Sequence, residues 1–176
     1  VAAGGVALNL HGVEFGMVLV NNAATTYTAV KAKVGSADLT GITGLGLTVT
    51  DFYLSVNKTS SVTVGAPVLD FDAGGTQAGT AFSVATGSTT PPVSLDFEGD
   101  EGSLIQVSGH IVLDLFGFVS LDGEFAFKKA NGNFLLNNGT ALTAVPYLSV
   151  GGNITTATVA AGGVALNLHG VEFGMV

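Results

Sequence analysis

The sequence predicts an all-β protein built as a tandem repeat, its strands wound into a solenoid or spread into one laterally extended sheet. Three observations predict it. Residues 1–18, VAAGGVALNLHGVEFGMV, return letter for letter at 159–176, so the chain repeats itself after 158 residues. Repetition at a fixed period marks architectures in which each unit covers its neighbour. The composition, with 26 Gly, 47% hydrophobic and only 10% charged residues, calls for extensive burial. Its Val, Thr, Ser and Asn favour strands and turns over helices. Apolar residues alternate with polar ones along much of the chain, and no segment keeps a helical period. The alternative arrangement is a string of β-sandwich beads, because a unit of this length can hold its own core. Residues 1–158 are then one full repeat, and 159–176 the start of the next.

The elements follow in order. Leu8 and Leu10 alternate with Asn9 and His11, the period of a strand, until Gly12 breaks or bulges it. The phase resumes as Val13, Phe15, Met17 and Leu19, and Asn21-Asn22 closes the stretch. Tyr27–Val34 reads as a second strand with Lys31 and Lys33 on one face. Gly44–Val56 reads as a third, with Leu45, Leu47 and Val49 on one side and a phase change at Asp51. Pro67 precedes the tetrad Leu69-Asp70-Phe71-Asp72. The segment Ala73–Pro92, rich in Gly, Thr and Ser, reads as a loop with a short strand at Ala81–Val84. Leu95-Asp96-Phe97-Glu98 then repeats the tetrad pattern. Ser103–Phe127 is the most apolar strand material, and bends are expected at Gly109, Gly117 and Gly123 because an unbroken strand that long is unusual. Lys128–Asn138 reads as a polar turn region. Thr143-Ala144-Val145 leading to Val150-Gly151 echoes Thr28-Ala29-Val30 leading to Val34-Gly35, which suggests degenerate sub-repeats inside the period.

Charge and cysteine content narrow the function classes. Thirteen acids against five lysines give a net charge of -8, and Arg is absent. That balance disfavours nucleic acid and anionic lipid as partners and removes the best bidentate grip on phosphate. Without Cys there is no disulfide framework. No apolar run is long enough for a transmembrane helix.

The stretches Val107-Ser108-Gly109-His110 and Leu113–Phe127, with Val150–Gly152 and Gly170–Met175, carry a resemblance. They resemble the β-strand repeats of giant bacterial extracellular proteins, secreted by the type I route and grouped with RTX adhesins. The resemblance implies an elongated, acidic protein of the cell surface or extracellular matrix. No Gly-Gly-x-Gly-x-Asp series occurs, so it does not imply a calcium β-roll.

Candidate chemistry is confined to a few clusters. Asp70 and Asp72 share a strand face, and Asp96, Glu98, Asp100 and Glu101 crowd a Gly-containing turn, where carboxylates could furnish oxygen ligands for calcium. The plainer reading is a solvated acidic edge that discourages edge-to-edge pairing. His11, repeated as His169, and His110 have no ligand-spaced partner in sequence and read as strand-face residues. No G-x-S-x-G elbow is present, which points away from an enzyme. Asn57, Asn138 and Asn153 fit the glycosylation acceptor pattern, as expected by chance in a Thr-rich chain.

The expected function is a structural building block of an extracellular β-rich fibre, surface stalk or biofilm matrix, without catalysis. Its partners are neighbouring repeats of the same chain and identical chains, and residues 159–176 dock as residues 1–18 do. The alternative is an adhesin module whose loops, Ala73–Pro92 and Lys128–Asn138, hold a ligand. An outer-membrane barrel fits tandem repetition poorly, since a barrel must close.

Overall fold

The computed structural model describes residues 2, 3, 5–72 and 79–176; the part of the expected Gly, Thr and Ser loop at 73–78 lies outside the described residues. The strands are β1 (Ala2–Ala3), β2 (Val6–Asn22), β3 (Thr25–Thr40), β4 (Leu45–Thr59), β5 (Phe82–Val84), β6 (Val93–Leu95), β7 (Leu104–Leu115), β8 (Val119–Leu135), β9 (Ala141–Ala161) and β10 (Val164–Met175). A single turn of 3-10 helix, Gly99–Glu101, precedes β7. One eight-stranded antiparallel sheet runs in the order β1-β2-β3-β4-β7-β8-β9-β10, and β5 pairs with β6 outside it. Each large-sheet strand lies beside its neighbours in sequence, as a meander requires, and the two edges do not meet to close a barrel.

Ser103–Phe127 forms two strands rather than one bent strand. The chain reverses between β7 and β8 through consecutive positive φ values at Phe116 (54°) and Gly117 (68°). Of the three glycines expected to bend it, only Gly117 turns the chain. Gly109 and Gly123 stay inside strands: Gly109 pairs with Phe125 and faces the irregular stretch of β4 between Thr50 and Tyr53, and Gly123 pairs with Ile111 and Ile154 beside the β8–β9 register shift. Lys128–Asn138 is likewise mostly strand: β8 continues to Leu135, paired with Ala141, and the turn comes later, where the Leu136 amide donates to the Thr140 carbonyl at 2.9 Å. Thus the second loop assigned to a possible adhesin site is largely sheet.

The expected phase changes are bulges at one height across the sheet. Gly12 adopts φ 62° opposite Gly35, with a virtual Cβ only 3.5 Å from the Gly35 Cα, so the two strands meet where neither has a side chain. Asp51 adopts φ 48°, and the β4–β7 register shifts between Thr50 and Tyr53. On the far side the β8–β9 register shifts next to Gly123, and Gly170, the second copy of Gly12, repeats its φ at 61°. Residues directly paired in an antiparallel sheet share a face. The unbulged β7 therefore carries Ile105, Val107, Ile111, Leu113 and Leu115 on one side, and the bulges return its neighbours' apolar residues to that side.

The opposite face is polar and small, and the connection from β4 to β7 packs on its lower half. Ala29, Leu95, Phe97, Leu104 and Ala130 form the buried cluster, with Leu69 and Phe71 against it. The two Leu-Asp-Phe-acid tetrads lie together here, because the Phe71 amide donates to the Phe97 carbonyl at 2.8 Å. Fully burying an apolar side chain such as Leu95 contributes about 1.5–3 kcal/mol. Asn57 is fully buried, which removes it as a glycosylation acceptor, and its Nδ2 donates to the Leu69 carbonyl at 2.6 Å.

Gly16 lies under β6, where an added Cβ would stand 2.7 Å from Val93 Cγ1. Gly16→Leu is expected to lift the β4–β7 connection off a sheet that otherwise persists. Limited proteolysis should then cut between residues 60 and 103 at protease levels that spare the parent chain, while the far-ultraviolet β signal changes little.

Candidate functional site

The chemistry-bearing side chains collect on the polar face, around the docked connection. β3 carries Lys31 and Lys33 on this face and β8 carries Lys128, and the connection answers Lys31 and Lys128 with a carboxylate each. Lys31 pairs with Asp96 and Lys128 with Glu101. Lys31 also lies 5.3 Å from the centre of the Phe97 ring. Burial lowers the pKa of Lys31. Burial pulls Lys128 down as well, but the hydrogen bond and charge of Glu101, joined by Tyr147, outweigh it and raise its pKa.

The six calcium candidates are divided by this arrangement. Asp72, Asp96, Glu98 and Glu101 line one cavity of about 330 Å³, but Lys31 lines it with them. Asp70 turns inward, its Oδ1 accepting from the Asp72 amide at 3.2 Å beside Gly99. Asp100 sits in the helical turn between Gly99 and Glu101. Among the described residues no three His, Asp or Glu side chains stand close enough to hold a metal ion. Two of the six carboxylates thus act as straps that tie the connection to the sheet.

A second depression, of about 460 Å³, opens beside the bulges and is lined by Asp51, Tyr53, His110, Glu124 and Asn153 among others. At its margin His110 Nε2 lies 2.6 Å from Asp122 Oδ1. Sequence spacing concealed this pair, because a hairpin must fold before positions 110 and 122 become diagonal neighbours. The signal that reveals it is the turn at Phe116–Gly117, which sets His110 opposite Glu124. His11 and His169 lie opposite Ser36 and Thr156, so the two copies occupy similar strand-face settings. The His110–Asp122 contact joins β7 to β8 and is a strand-to-strand strap.

The chain matches no family model, no curated protein and no solved structure.

Because the Lys128 pKa is raised, the stability it contributes is complete below the unfolded lysine value of about 10.4 and is lost as pH climbs through the higher folded value. Glu101→Gln is expected to lower stability at neutral pH and to shrink that alkaline loss. Thermal melts of both chains from pH 7 to 11 measure the difference.

Proposed function

We propose that this chain is one period, and the beginning of the next, of a non-catalytic structural protein: a continuous β-sheet ribbon in an extracellular fibre, surface stalk or biofilm matrix. One observation carries this reading. In the hairpin of β1 and β2, Ala2 pairs with Ala7 and Ala3 with Val6. In the hairpin of β9 and β10, Ala160 pairs with Ala165 and Ala161 with Val164, which are the same residues one period later in the same register. β1 therefore stands where the last strand of a preceding period would stand, and β10 stands where the next period's β2 begins. β9 also crosses position 158 without interruption, so the period boundary falls inside a strand.

Six long strands, β2, β3, β4, β7, β8 and β9, then make one period. The resemblance to secreted bacterial repeat proteins supports an extracellular setting, and the absence of Cys and the surplus of acid are compatible with it. Covalent continuity solves the edge problem of an open sheet, since each period covers the next one's unpaired ladder. Main-chain hydrogen bonds supply the strength, as in strand addition between separate chains.

Chains of two and three tandem 158-residue periods should lengthen in solution scattering by about 29 Å per period, six strands at about 4.8 Å each. Separate beads would add on the order of 40 Å and overturn the ribbon. A chain ending at Thr158 loses β10 and the end of β9. It is expected to melt several degrees lower, at about 2–4 °C for each kcal/mol lost. Undiminished stability would remove the idea that each period is completed by the next.

A further inference from the structure

We propose that the apolar face of the large sheet is closed by the same face of a second copy of this chain, giving a two-layer sandwich. The proposal concerns the face and not the edges, and it holds whether or not periods are joined in series. One row across the sheet pairs Leu39 with Leu47, Leu47 with Leu113 and Leu113 with Leu121. Another pairs Ala32, Leu54, Val107 and Phe127 in turn. The docked connection lies on the other side, and the apolar side chains here stand open: Leu10 is 50% exposed, Phe15 53%, Ile105 40% and Phe173 53%. An apolar surface of this extent on a free chain marks an interaction site.

Size, charge and shape all point to a second copy as the occupant. Seven long strands at about 4.8 Å, each with about eleven residues at about 3.3 Å, span roughly 1,200 Å². A stable protein interface needs about 800 Å² from each partner, so two such faces suffice. None of the chain's 13 acids lies on this face; all stand on the polar side, on the docked connection or in the Asp51 bulge. Lys58 and Lys129 lie on it at one end, paired with Thr28 and Ile105, so two faces can meet without bringing carboxylates together.

The surface is also level. The Phe125 ring lies over Gly109, 3.4 Å from where a Cβ would be, and the Phe173 ring covers Gly152 in the same way at 2.6 Å. Large residues beside small ones suit a second sheet stacked at about 10 Å. A lipid-facing barrel would instead carry aromatic girdles at both ends of its strands. Here Phe15, Phe52 and Phe125 lie in mid-strand, and the sheet is open.

Sedimentation equilibrium of the whole chain at micromolar concentration is expected to give twice the 17.5 kDa protomer mass. Leu113→Lys should leave a folded monomer, while Val112→Lys, on the polar face, should leave the dimer intact. The chain has no cysteine, so single nitroxide labels at Ile111→Cys and Val112→Cys test the same geometry without a disruptive charge. The labels at 111 are expected about 10–20 Å apart between copies, given a sheet spacing of about 10 Å, and those at 112 farther apart. Three results would overturn the proposal: a monomeric parent chain, a dimer indifferent to Leu113→Lys with its closest labels at 112, or a monomer that inserts into phosphatidylglycerol vesicles. Failure of the ribbon in scattering leaves this outcome separate, because one period carries the whole face.

Discussion

An antiparallel sheet can present one apolar and one polar face only if every strand keeps the same phase, and this sheet has to restore that phase partway along its strands. A one-residue slip would send each apolar side chain to the wrong side. The bulges at Gly12, Asp51 and Gly170 fall at one height, together with the register shift beside Gly123. At that height the strands on either side of the β7–β8 hairpin gain a residue in concert, and the leucine row above it joins the aromatic row below it on a single surface. Both the uncovered apolar face and the polar face that receives the connection depend on this alignment.

The polar face shows how a sheet with few charges uses them. Lys31 and Lys128 each meet a carboxylate from the β4–β7 connection, and the tetrads at Leu69–Asp72 and Leu95–Glu98 place their apolar members beneath it. Apolar burial drives the docking, and the ion pairs set its register, since partly exposed pairs contribute little energy by themselves. The acids that in sequence looked like a calcium cluster are distributed by this packing, two of them onto lysines. A fixed connection on one face leaves the other face and the two edges as the surfaces through which the chain meets its surroundings.

Much of the local structure was legible because it rests on local causes. Alternation exposed the strands, the break in phase at Gly12 and Asp51 marked bulges, and the short strand near Ala81–Val84 appeared as β5. The repeated tetrad was visible as a sequence echo, although nothing in sequence showed that its two copies hydrogen-bond to each other. Ser103–Phe127 misled because its one true turn, at Phe116–Gly117, has apolar residues on both sides, so composition did not separate it from the glycines inside the strands. His110 and Asp122 stayed hidden for the same reason, since their contact exists only once that turn is placed.

The sequence by itself determined that the chain is all-β, that its strands have one oily and one polar side, and that its first eighteen residues return at the end. These follow from period, composition and identity, which need no partner. Only the tertiary structure decided that the strands form one open meander, that the lysines and acids pair across the docked connection, and that the repeated hairpin keeps the same register in both copies. Those outcomes depend on which residues come into contact across long separations, a choice made by the summed ladder of backbone hydrogen bonds and not by any segment alone.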